Sequence, residues 1–454
     1  MSEKSIAKDY TVGTIPKQMF KFMIPFMLSN ALQVLYSAVD MAIVGQFVGP
    51  DGITAVAQGS QIVNFGVMFI LGFATGGQML IAQVIGADKR EELNSVIGTL
   101  VSLVGIMAVA LTIIIVIPRQ AILTLLNIPE ESLQMGMEYI LICGGGLIFT
   151  AGYNVISSIL RGMGDSKRPF YFISIASVVN LILDMLFTGV LGWKVVGAAL
   201  ATIIGQAIAF VIALVYIYKR KDQFYFDFKL SSLRINKGYL KTISIQGIPA
   251  AIQYTVISFS MMLVSAMVNS LNSLTASATF GVGLKIDDIC IKISLGIQYA
   301  AAPMIAQNYA AKKFDRVKQV VKWAWIYSFI YVGLFTAYYL PFGDSLFALF
   351  SNDAAVIAMS SEFRYAIFYE FICLAVMRGT GALIQGIGYA WFNLFLSILD
   401  GLILRVGFGW LFGNAMGLGF FGYILGYGLA PLGFAIPGVI YFISGRWQKR
   451  KALI

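Results

Sequence analysis

Residues 20–44 read FKFMIPFMLSNALQVLYSAVDMAIV, and within them only Lys21 and Asp40 carry charge. A helix needs about 20 residues to cross the roughly 30 Å hydrocarbon core of a bilayer. This run exceeds that, and it also exceeds the short apolar core of a cleaved leader. Lys4, Lys8, Lys17 and Lys21 precede or open it without a cleavable segment, so a membrane helix that stays in the chain is expected. Composition extends the point to the whole protein. Of its 454 residues, 59% are hydrophobic and 12% charged, against about 45–50% and 25% in soluble domains. The expected solvent is lipid.

Apolar stretches of span length fall near 16–45, 54–83, 95–117, 133–160, 169–190, 195–218, 240–268, 275–306, 319–340, 362–388, 391–412 and 418–444. They predict an all-α, polytopic membrane protein of twelve transmembrane helices. With an even count, both termini share one side. That side carries Lys4, Lys8, Lys17, Lys21, Lys89, Arg90, Arg161, Lys167, Arg168, the basic stretch from Lys219 to Lys241, the group from Lys312 to Lys322 and the tail from Arg446 to Lys451. The opposite loops offer Arg119, Lys194 and Arg364. The positive-inside rule then places both termini in the cytoplasm, in a cell (inner) membrane. The net charge of +10 is a topology signal, and no nucleic-acid partner is expected, because the cations are not gathered on one soluble face.

The sequence repeats itself. Ile24-Pro25 recurs as Ile248-Pro249, Leu71-Gly72 as Leu295-Gly296, Ile81-Ala82-Gln83 as Ile305-Ala306-Gln307, and Gly162-x-Gly164 as Gly386-x-Gly388, all at an offset of 224. Gly192, Gly197 and Tyr216 recur one residue later, at Gly417, Gly422 and Tyr441. Two homologous six-helix lobes follow, as a parallel repeat about an axis along the bilayer normal, an arrangement found in transporters. We expect an N-lobe over 1–218, a basic inter-lobe linker over 219–239 and a C-lobe over 240–454. Pro25 and Pro249 mark matching kinks.

Three stretches carry a family resemblance. They are Ala38 to Gly45 in helix one, Arg161 to Pro169 after helix four, and Ala306 to Ala311 followed by Asp315-Arg316-Val317 after helix eight. Together, in a duplicated twelve-helix frame and across nearly the whole chain, they resemble the multidrug and toxic compound extrusion (MATE) family. The resemblance implies a two-lobed bundle working by alternating access, and export driven by inward H⁺ or Na⁺. It maps an N-lobe ion-coupling set onto Asp40, Asn180, Asp184 and Thr202. A second branch of the family keeps a Glu within helix seven, but Pro249 to Met267 contains no carboxylate, so that mechanism is not carried over.

The residues support the N-lobe set on physical grounds. An Asp at mid-bilayer costs about 2.5–3.5 kcal/mol, which makes Asp40 and Asp184 functional candidates by default. Asn180 and Asp184 are four apart on one helical face, with Ser177 just before them, and Tyr36 lies one turn before Asp40. Converging faces would put two carboxylates in one low-dielectric cavity, where both cannot ionise cheaply. A proton, or Na⁺ at Asp40, Asn180 and Asp184, would relieve them. The chain has no His, which removes the usual near-neutral proton carrier and leaves such work to carboxylates. At the repeat offset, Asp40, Asn180 and Asp184 become Val264, Leu404 and Phe408. Helix packing alone would not demand that asymmetry, although a merely structural hydrogen-bonding role is the competing account.

The C-lobe has charges of its own. Lys285, Asp287, Asp288 and Lys292 lie within helix eight, Glu370 and Arg378 within helix ten, and Asp400 and Arg405 within helix eleven. Asp288 and Lys292 are spaced as an i,i+4 pair. Either a neutralised buried network or a charged cavity wall formed by Asp287, Asp288, Lys292 and Arg378 would account for them.

Other chemistry is disfavoured. Cys143, Cys290 and Cys373 are far apart in apolar runs, so no disulfide framework is expected. Gly417-x-Gly419-x-x-Gly422 lacks the strand–helix context of a dinucleotide site, and no Gly-Lys dipeptide exists to build a Walker A loop. A membrane enzyme would need a nucleophile–base set or metal ligands, and neither is present. No cofactor is expected beyond H⁺ or Na⁺ as coupling ion. The expected partners are a small-molecule substrate and the bilayer, with the chain a monomer. The rival within the same architecture is a lipid or lipid-linked oligosaccharide flippase, which would call for a cationic central cavity.

Overall fold

The structure, a computed structural model, describes residues 7–454, and the expectation for Lys4 lies outside them. Among the described residues the secondary structure is helical throughout. Among the described residues, eleven helices are long and apolar enough to cross a membrane: α1 (Ile15–Phe47), α2 (Pro50–Gly86), α3 (Arg90–Val116), α5 (Lys167–Val190), α6 (Lys194–Lys219), α7 (Lys237–Asn269), α8 (Leu274–Ala310), α9 (Phe314–Ala348), α10 (Ala354–Gly386), α11 (Ala390–Ala415) and α12 (Gly419–Ile443). The twelfth, α4, is a pair, Glu130–Gly145 and Leu147–Gly162, bent by 43°. Hydropathy over 133–160 predicts one continuous span there, but Gly144-Gly145-Gly146 weakens the helix at the junction.

The chain falls into two compact units. Unit 1 comprises the residues through Asp9 and Leu28–Ala251, and unit 2 comprises Tyr10–Met27 and Ile252–Ile454. The divisions at 27/28 and 251/252 are 224 residues apart, and each falls two residues after a proline, Pro25 or Pro249. The first part of α1 thus packs with unit 2, and the first part of α7 with unit 1.

Within each unit the repeated landmarks have a packing reason. In unit 1, a Cβ added at Gly72 would sit 2.9 Å from the Ala251 nitrogen. In unit 2, one added at Gly296 would sit 2.6 Å from the Met27 nitrogen. Only glycine lets α2 approach α7, and α8 approach α1, so closely. Gly164 and Gly388 hold φ at +85° and +75°, so each lobe turns out of its fourth helix by the same left-handed step.

The second halves of the lobes share a further irregularity. Residues Met185–Val190 of α5 and Gly409–Ala415 of α11 are π-helical. A second π segment, Leu399–Leu404, is particular to α11 and contains Asp400. Such insertions re-aim side chains and concentrate at functional sites. All three cysteines are free and buried.

Candidate functional site

The N-lobe set lies entirely in unit 1. Tyr36 and Asp40 stand one turn apart on α1. Ser177, Asn180 and Asp184 lie on one face of α5 and are 7%, 3% and 1% exposed. Thr202 is on α6. The side chains of Asp40 and Asp184 adjoin each other, Asn180 adjoins Asp184, and Tyr36 adjoins Thr202. The fold thus brings together five of the residues singled out from sequence. Ser177 shares the α5 face one turn away from Asn180.

The group is polar but unsatisfied. Asp184 Oδ1 and Oδ2 and Asp40 Oδ1 are buried with no hydrogen-bond donor, and Asn180 Nδ2 has no acceptor. Among the described residues neither Asp makes an ion pair with Lys or Arg. Buried carboxylate oxygens without donors are costly. Hydroxyl, amide and carboxylate oxygens together form the hard donor set that suits a proton or a small alkali cation.

Tyr139 and Cys143 of α4 adjoin this site and were not singled out from sequence. The Cys143 thiol donates to the Ala199 carbonyl at 3.8 Å, and both side chains lie within electrostatic range of Asp40. Both belong to an apolar cluster with Val44, Ala198 and Ala199 that floors the site. A Tyr and a Cys inside an apolar span give no charge signal by which to find them.

The C-lobe charges are arranged differently. Arg405 Nη2 lies 3.3 Å from Asp400 and 3.9 Å from Glu370, and its guanidinium stacks 4.2 Å over the Tyr427 ring. The Tyr427 hydroxyl donates to Asp287 over 3.5 Å. Arg378 is consumed by Ser294 at 3.0 Å and by Gln298 and the Ile291 carbonyl, both at 3.3 Å. Asp288 and Lys292 do pair, at 2.7 Å, but each side chain is 50% exposed. This corrects the buried form of the network: one step along α8 turns the side chain by about 100°, so Asp287 faces inward and Asp288 outward. Lys285 is likewise exposed. Arg364, expected in a loop, instead lies in α10 and is held by Asp344 at 2.6 Å.

The stretches after helices four and eight work as fasteners. Asp165 accepts from the Lys167 and Arg168 backbone at 3.1 and 3.4 Å, capping α5. In unit 2, Gln307 accepts from the Tyr10 nitrogen at 2.8 Å. Arg316 donates to the carbonyls of Tyr10, Val12 and Gly13 and, over 3.0 Å, to Asn308. The Tyr309 hydroxyl donates toward the Trp447 and Arg450 carbonyls at 3.0 and 2.6 Å.

A family model described as MatE matches residues 25–186 and again residues 249–411. This chain belongs to the MatE family. The two matches reproduce the duplication, starting 224 residues apart and ending 225 apart. MatE proteins are multidrug-efflux transporters and not enzymes, and this one is a multi-pass membrane protein. It is 30% identical over 453 residues to the probable multidrug resistance protein YpnP of Bacillus subtilis (strain 168), covering 98% of each chain. It is 24% identical to the probable multidrug resistance protein NorM of Thermotoga maritima, covering 99% of this chain and 97% of the other. Among solved structures it superposes with a TM-score of 0.92, at 23% identity and over 99% and 100% of the two chains, on the outward-facing conformation of a multidrug resistance MATE family transporter of the MOP superfamily.

Proposed function

We propose that this MatE protein is a secondary active exporter of small organic cations or amphipaths, coupled to inward H⁺ or Na⁺ through Asp40 and Asp184. The observation that carries the proposal is the facing carboxylate pair, with three buried oxygens lacking any donor. Charge there is stable only when a cation is present, so loading and unloading alters the energy of the surrounding helices, as alternating access requires. Asn180 and Thr202 supply further oxygens. The cycle runs in a monomer, in the cell membrane, with both termini on the cytoplasmic side, where the basic loops gather.

The flippase alternative gains no support from the C-lobe. Arg378 and Arg405 are engaged by neighbours, and Lys292 pairs with Asp288. The decisive experiment is uptake or efflux of a fluorescent cation in proteoliposomes under imposed proton or sodium gradients. Transport that follows one gradient in the wild type and fails in Asp40→Asn is expected. Gradient-independent transport, or full coupling in Asp40→Asn, would remove the N-lobe pair as the coupling site.

A further inference from the structure

Away from the acidic site, α3, α4 and α6 of unit 1 enclose a cavity of about 280 Å³ whose lining residues are all apolar. Val101, Ile156 and Phe210 form its walls, and Phe224, Phe226 and Phe228 of the linker close one end. The outer faces of the same helices carry exposed Ile106, Val109, Val211 and Val215, each within a few residues of the lining. The cavity therefore opens among surfaces that face hydrocarbon.

The closing segment is strained. Tyr225 and Phe228 hold φ at 54° and 56°, a conformation bulky side chains rarely adopt unless their surroundings impose it. Ring contacts impose it here: Phe226 on Phe228 at 4.7 Å, Tyr218 on Phe228 at 5.5 Å and Tyr216 on Phe224 at 6.0 Å. The linker is then tied to α3, with Ser102 donating to the Leu233 carbonyl at 2.6 Å and the Asn236 nitrogen to Thr99 at 3.1 Å. At this same end Lys219, Lys221 and Lys229 are exposed. Lys229 has Asp227 at 3.8 Å, so the local charge stays positive.

An apolar slot open to lipid, with lysines at its closed end, matches a molecule having an acyl chain and an anionic head. A free phosphate would have no use for the slot, and a neutral apolar compound none for the lysines. We propose that this is a binding site for one anionic phospholipid, its acyl chain in the cavity and its phosphate beside Lys219, Lys221 and Lys229, and that occupancy holds the linker in its strained conformation.

The test uses the purified, delipidated full chain with phosphatidylglycerol or phosphatidylcholine. Bound lipid is counted by native mass spectrometry, and linker order is followed by hydrogen exchange over residues 224–236. A Cβ at Gly105, which lines the cavity, would meet nothing within 4 Å, so Gly105→Phe grows into the slot without a clash at its root. The wild type is expected to hold phosphatidylglycerol at least tenfold more tightly than phosphatidylcholine and to slow linker exchange on binding. Gly105→Phe should lose both effects. Combined Lys219→Gln, Lys221→Gln and Lys229→Gln should bring phosphatidylglycerol down to the phosphatidylcholine level. Should Gly105→Phe unfold, Leu214→Trp blocks the same slot from α6. Equal binding of the two lipids by the wild type, or undiminished phosphatidylglycerol binding with the slot filled, overturns the proposal.

Discussion

Replacing Asp184 by Asn separates a cation site from mere helix packing. Asp184 is 1% exposed, and three oxygens of the pair have no donor. Each buried acceptor left unpaired costs about 1–3 kcal/mol, more when charged, so the cation-free pair carries at least about 3 kcal/mol of unfavourable energy. Asp184→Asn removes one charge, keeps the shape and supplies an amide that can donate to Asp40. At pH 8.5 without sodium the mutant should therefore be more stable than the wild type, by about 1–3 kcal/mol for one acceptor relieved. Lowering the pH or adding sodium should then stabilise the wild type, by about 2.7 kcal/mol at a ligand concentration one hundredfold above Kd, and should leave Asp184→Asn nearly unmoved. Thermal unfolding in detergent at pH 5.5 and 8.5, with and without sodium, measures all four conditions. A mutant less stable than the wild type in every condition, together with a wild-type curve flat to both ions, would make Asp184 a packing residue.

Arg405→Met should destabilise strongly, by about 3–5 kcal/mol, because it strands Asp400 and Glu370 in a buried site; a thermal midpoint within a degree of wild type would show that those acids do not depend on it. Asp288→Ala should cost on the order of 0–1 kcal/mol, since its pair with Lys292 is half exposed, and the double change Asp288→Ala with Lys292→Ala should be no more stable than the single. Gly296→Val should cost about 1–3 kcal/mol or more through overpacking against Met27, whereas the same change at Gly105, where space is open, should be tolerated in the same unfolding assay.

Much of the fold was legible because lipid imposes a simple rule, about 20 apolar residues per span, and because landmarks such as Gly72 and Gly296 repeat at one offset. The bend in α4 was hidden, since hydropathy averages across Gly144 to Gly146. That Tyr10–Met27 packs with unit 2 was also hidden, because it rests on contacts such as Arg316 with the Tyr10 carbonyl, which no local pattern encodes. Asp40, Asn180 and Asp184 stood out as polar residues in apolar runs, and spacing alone put the last two on one face. Spacing could also pair Asp288 with Lys292, but not say which face of α8 is buried.

The two lobes show what duplication permits. Both bury acids, and both leave carboxylate oxygens short of donors, including Asp287 Oδ1 and Glu370 Oε2. The difference is the resident cation. Arg405 stands among the C-lobe acids, fixed by Asp400 and by the face of Tyr427, so a second cation arriving there would meet an existing positive charge. Its N-lobe counterpart by offset is Leu181, which is exposed on the outer face of α5, and no arginine or lysine pairs with Asp40 or Asp184 among the described residues. One copy of the scaffold thus carries its counter-ion as a permanent side chain, while the other leaves the charge to be balanced by something that can come and go. A fixed guanidinium stabilises one arrangement of helices; an exchangeable proton or sodium ion makes the preferred arrangement depend on its concentration. This is why we propose coupling in the N-lobe although the C-lobe holds more charge.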